Sequence, residues 1–236
     1  MFAAASRAED SLCTADRTLG PVSDHLSNIL SFVVLAVVGV RLVQAVTLSR
    51  SSRGRTLSRL VWTRLRWRHF WPVPFVLGGV LLVAVPLLMI PPLRWGWWSA
   101  LGGDGNPVFG SSTATTGTVW EWLLPLIFMA LVVAALPLFA NAEERMFRTG
   151  AQFWSRRRRA LKVLQFGLIH AVIGIPIAVA LALSVGGAYF MYVYLRSFAL
   201  TGSANEATLE STRAHTAYNL SIILAVAAVV AASAVV

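Results

Sequence analysis

The chain has 236 residues, of which 57% are apolar and only 13% charged, and it carries a formal net charge of +10. That much apolar surface cannot be hidden within a soluble domain of this size, so the composition excludes an ordinary water-soluble enzyme and predicts an all-α, polytopic transmembrane helical bundle. The single cysteine, Cys13, excludes an intrachain disulfide framework and a cysteine-based metal site.

Residues 1–27 read as a polar tail in which Arg7 and Arg17 are outweighed by Glu9, Asp10, Asp16 and Asp24. There is no basic n-region or short h-region, so the first apolar run is expected to be retained as a span rather than cleaved. Apolar runs follow at about 28–48, 73–93, 119–140, 163–198 and 216–236, each near or above the roughly 20 residues that cross hydrocarbon. The fourth is too long for one crossing, and Gly174-Ile175-Pro176 supplies a break at which it can fold into two short ones. About six spans result. The chain divides into the tail 1–27, an N-terminal pair over 28–116 and a helical core over 117–236.

Arginine accounts for 19 of the 20 basic residues, and its placement sets the orientation. Arg50, Arg53, Arg55, Arg59, Arg64, Arg66 and Arg68 fill the first connection, and Arg145, Arg148, Arg156 to Arg159 and Lys162 fill the third. By the positive-inside rule both are cytoplasmic, and the stretch 95–116 lies outside, as do both termini. Segment 50–72 interleaves Arg with Leu60, Val61, Leu65 and Trp67, as an amphipathic interfacial helix does. Trp95, Trp97, Trp98, Trp120 and Trp122 mark the outer headgroup level, and Trp62, Trp67, Trp71 and Trp154 the inner one. Arg156 to Arg159 abut a span, so membrane lipids rather than nucleic acid are their expected partners. Arg41 is expected to snorkel toward the cytoplasm. Gly102-Gly103 read as a loop turn and Gly186-Gly187 as a close helix contact. The Arg-rich, Lys-poor composition points to a bacterial plasma membrane.

Three polar clusters interrupt the apolar core. The first, Glu143-Glu144 with Arg148, reads EExxxR where the third run meets the interface. Glu144 and Arg148 are one helical turn apart in the favourable order, whereas Glu143 points about 100° away and is free to face something else. The second, Phe166 with His170, reads FxxxH; His170 lies roughly 12 Å beyond Lys162 along a helix, with Phe166 on its own face. The third, His215 with Asn219, reads HxxxN on one face at the start of the last run. Taken singly, each also reads as a helix-end or helix-contact polar group. Ionisable groups beside apolar spans are costly, and three clusters in order carry more weight than one.

In identity, order and placement these motifs resemble the CPBP family, the CAAX-protease and bacteriocin-processing intramembrane proteases also called Abi, over about residues 117–236. Two departures are visible: Phe147-Arg148 is followed by Thr149 before Gly150 where the family often reads FRG, and about six spans stand against eight in the prenyl-protein enzyme. The resemblance implies an endopeptidase acting on a membrane-associated protein or peptide. Glu143 and His170 would hold and deprotonate a water, His215 and Asn219 would donate to the oxyanion, and Glu144 with Arg148, beside Phe166, would orient the site. It also implies a metal-independent mechanism with no cofactor. Zinc held by Glu143, His170 and His215 is the mechanistic rival, although no HExxH is present. Outside enzymes, the alternative is a non-catalytic binding protein such as a bacteriocin self-immunity factor; a transporter would call for repeats or charges in several spans.

Overall fold

The computed structural model describes residues 43–96 and 117–233, together with positions 29, 33, 36, 39 and 40. The tail with Cys13, residue Arg41, Trp97, Trp98 and Gly102-Gly103 lie outside the described residues, as does much of the 28–48 run.

Helix α1 (Ser52–Trp62) begins where the Ser51 hydroxyl accepts a hydrogen bond from Gly54 N at 3.0 Å, an N-cap that fills one of the otherwise orphaned donors. Its buried Val61 faces the bundle while Arg53, Arg55 and Arg59 are exposed, so the amphipathic pattern holds over α1, whereas the helix expected over 50–72 ends at Trp62 and Trp67 begins the next element, exposed. The short α2 (Trp67–Phe70) leads into α3 (Val73–Leu88), followed by a 3-10 turn over Pro91–Arg94. Helix α4 (Trp120–Phe147) is the second long element, and a 3-10 turn over Ala151–Phe153 joins it to α5 (Arg156–Leu168).

The break expected in the fourth run is present. A 3-10 turn, Ile169–Ile173, ends at Gly174 with φ 94°, a left-handed conformation that glycine adopts without steric cost, and Pro176 caps α6 (Ile177–Ala182). Helix α7 (Ser184–Thr201) then runs back antiparallel to α5. The two backbones approach closely where Gly187 lies against Phe166 and the Val163 carbonyl, and where Gly167 lies against Ser184. Helix α8 (Ala204–Ser233) closes the bundle, antiparallel to α4.

Among the described residues four helical stretches are long and apolar enough to cross a membrane: Trp67–Leu88, Pro125–Phe153, Ile177–Thr201 and Ala204–Ala232. These mark the chain as an all-helical membrane protein. Only 17% to 44% of the most apolar part of each is buried inside the protein, and Phe75, Leu81, Leu82, Leu131 and Val229 stand exposed. Such surfaces are stable in hydrocarbon and not in water. Helix α5, which carries the first arm of the fourth run, opens with four arginines and is not among the four.

The packing sorts charge toward one end. Arg64, Arg68, Glu143, Glu144, Arg148, Arg196, Glu210 and Arg213 all sit where spans begin or finish. At the other end Trp95 O accepts a hydrogen bond from Ile177 N at 3.0 Å, which places the Gly174–Pro176 turn beside the end of α3.

Candidate functional site

Antiparallel α4 and α8 bring the first and third motifs face to face. Asn141 Nδ2 donates to Thr212 Oγ1 at 3.2 Å, and the Thr149 and Thr208 hydroxyls lie 3.3 Å apart, so the two helices are in register along the segment that carries Glu143 and Glu144.

Glu144 is the hub. Its side chain is fully buried, and its Oε1 accepts from Arg148 Nη1 at 2.6 Å and from His215 Nδ1 at 2.9 Å, while Ser211 donates to Oε2. The Phe190 carbonyl oxygen is 3.0 Å from the same Ser211 oxygen. A carboxylate away from water is tolerated only when its oxygens are filled in this way. Arg148, 1% exposed, leaves its Nε and Nη2 without hydrogen-bond partners among the described residues. Its guanidinium instead stands over the Phe166 ring at 4.3 Å and the Phe190 ring at 5.3 Å, so the ring faces supply part of what water would.

Glu143 faces the other side of His215. Its side chain is 34% exposed, and its Oε2 makes no hydrogen bond to a described residue and lies 3.8 Å from His215 Nε2. With Nδ1 held by Glu144, Nε2 is the nitrogen that His215 presents to Glu143. The imidazole is also fixed in plane: Phe190 stacks on it at 4.3 Å and 22°, and Phe166 meets it edge-on at 5.6 Å.

His170 is half-buried on the 3-10 turn after α5 and joins the group through Phe166. The two rings are 5.2 Å apart, and His170 Nδ1 lies 2.8 Å from the Phe166 carbonyl, which accepts the Nδ1 proton and leaves Nε2 free. Asn219 is one turn beyond His215 on α8, half-buried, with no hydrogen bond to another described residue. The structure thus brings Glu143, Glu144, Arg148, Phe166 and His215 into one contiguous set, with His170 at its Phe166 edge and Asn219 further along the same helix.

Sequence reasoning missed Ser211 and Phe190. Ser211 carried a signal, since 211, 215 and 219 follow one another at four-residue spacing on one helix face. Phe190 carried none within its apolar run. Among the described residues no group of three His, Cys, Asp or Glu side chains is placed to hold a metal ion. In both His215 and His170 it is Nδ1 that is engaged, by Glu144 and by the Phe166 carbonyl, which leaves Nε2 of each ring as the nitrogen turned to the site. No family model, no curated protein and no solved structure matches the chain.

Proposed function

We propose that the protein is an intramembrane endopeptidase of the CPBP type, which hydrolyses a peptide bond of a membrane-associated protein or peptide without a metal. One observation carries the reading: the unbonded Oε2 of Glu143 faces His215 Nε2 at 3.8 Å, while the other nitrogen of His215 is held by a fully buried Glu144. A base beside a histidine that a third group orients is an arrangement suited to activating water.

In this mechanism Glu143, with His170 as its partner across the Phe166 ring, takes the proton of a water whose oxygen attacks the scissile carbonyl carbon. His215, in its doubly protonated form, donates Nε2–H to the oxyanion, and Asn219 is its companion donor. Collapse of the tetrahedral species breaks the C–N bond, and Glu143 returns the proton to the leaving amine. Glu144, Arg148, Ser211 and the Phe166 and Phe190 rings hold His215 in place, because catalysis depends on geometry set before the substrate arrives.

The topology that goes with this is a bundle of about six spans in a bacterial plasma membrane, termini outside, with the site toward the cytoplasm. The gathering of arginines at the end of the bundle that carries Glu143 supports that orientation. The decisive experiment compares new protein termini in membranes of cells carrying the wild type or Glu143→Gln. Termini that depend on the wild-type side chain are expected, and identical sets of termini would dismiss the reading.

A further inference from the structure

Beside the glutamate–histidine cluster, and separated from it by one helix wall, is a cleft of about 960 Å³. Tyr189 and Ala214 belong to its lining and are the chain neighbours of Phe190 and His215. Five arginines line it against two glutamates, Glu206 and Glu210. They come from the Arg-rich entry to α3, from the last turns of α7 and from the first turns of α8.

One of these two glutamates is already spent. Glu210 accepts from Arg68 at 2.8 Å, from Arg213 at 2.9 Å and from His69 Nε2 at 3.2 Å. His69 is buried, and its Nδ1 accepts from Arg66 N at 2.9 Å, which assigns the Nε2 proton to Glu210. Arg64, Arg66 and Arg196 form no ion pair with a described residue; the only described partner of the Arg196 guanidinium is Tyr192 Oη at 3.3 Å. Arg213 is 4% exposed, yet its Nε and Nη2 have no acceptor among the described residues. Unfilled donors on a buried cation are expensive, and an anion in the cleft would relieve them.

The rim identifies the anion's carrier. Trp71, Tyr192 and Leu200 line the cleft and are 54%, 57% and 77% exposed, and Phe75 continues the same apolar face along α3 toward the bundle centre at 72% exposed. A soluble anion would have no use for that surface. A charged group in an arginine cleft, with acyl chains running down an exposed aromatic and aliphatic face, matches a phospholipid at the headgroup level.

We infer that this cleft binds the phosphate headgroup of an anionic phospholipid, with Arg64, Arg196 and Arg213 as its donors and Trp71 and Tyr192 beneath the acyl chains. The inference stands independently of the hydrolytic reading. It is tested on the full chain in detergent by following its thermal midpoint during titration with dihexanoyl phosphatidic acid, dihexanoyl phosphatidylcholine or inorganic phosphate. Phosphatidic acid is expected to raise the midpoint well above the rise with phosphatidylcholine. The double variant R64Q/R196Q, altered only on exposed or cleft-edge side chains, is expected to bind it about ten-fold more weakly, the loss of one to two charge-assisted hydrogen bonds. R157Q/R158Q removes equal charge away from the cleft and is expected to bind as the wild type does. Equal weakening in both double variants would overturn the site in favour of unspecific surface charge. A shift with inorganic phosphate as large as that with phosphatidic acid would overturn the lipid assignment, and no shift with any probe would overturn both.

Discussion

Phe190 lies flat against His215, ring centroids 4.3 Å apart and planes 22° apart, and Phe190 is wholly buried. The contact does two things at once. It fills the space between α7 and α8, and it denies the imidazole any rotation that would break its hydrogen bond to Glu144. Phe190→Ala is expected to cost about 3–5 kcal/mol through the cavity it leaves, seen as a lowered thermal midpoint in detergent. Phe190→Leu keeps most of the volume and is expected to retain more of the stability, while losing cleavage because the flat support of the imidazole is gone.

The buried pair Glu144 and Arg148 is expected to be far more sensitive to the loss of one member than of both. Glu144→Gln or Arg148→Met alone strands a charge away from water and is expected to cost about 3–5 kcal/mol. The two together leave no charge behind, so the double variant is expected to lose less than the sum. Unfolding of all four proteins of the cycle, wild type included, checks this. Ser211→Ala, which removes one of three donors from Glu144, is expected to cost about 1–3 kcal/mol.

Glu143 presents the opposite profile. It is 34% exposed and its Oε2 has no hydrogen bond to lose, so Glu143→Ala is expected to change stability by less than about 1 kcal/mol. On the proposed mechanism it abolishes cleavage all the same, and a folded Glu143→Ala protein that still generates the wild-type termini would remove Glu143 from the mechanism. Chelation of divalent ions is expected to leave those termini unchanged.

Gly187 is one of two points, with Gly167, where α5 and α7 approach closely. A Cβ placed there would lie 2.8 Å from Phe166 Cδ1 and 3.1 Å from the Val163 carbonyl. Gly187→Val is expected to push Phe166 aside and to cost about 1–3 kcal/mol of packing energy, measured by thermal unfolding. Because Phe166 sits between His170 and His215, the same change is expected to depress cleavage beyond the fraction unfolded.

Much of the architecture was legible because it is local. The Glu144 to Arg148 pairing follows from a four-residue spacing, the turn at Gly174 from a glycine and a proline in sequence, and the amphipathic face of α1 from periodicity. The close helix contact expected at Gly186-Gly187 is visible at Gly187. Other parts of the site were not legible for an equally plain reason. The family resemblance implies a pairing of Glu143 with His170, whereas the packing sets Glu143 beside His215 and gives His170 the Phe166 carbonyl as its partner.

From the sequence alone came the membrane character, the helical class, the run lengths and the identity of the polar residues that interrupt them, since hydropathy and spacing along one helix need no knowledge of any other. Only the tertiary structure shows what Glu144 holds, because its bond to His215 joins residues 71 positions apart. The arginine cleft likewise exists only once α2, α7 and α8 are packed together. Which charges end up buried and filled, and which are left open to a ligand, is decided by the register of antiparallel helices, and that register is set by contacts no single segment contains.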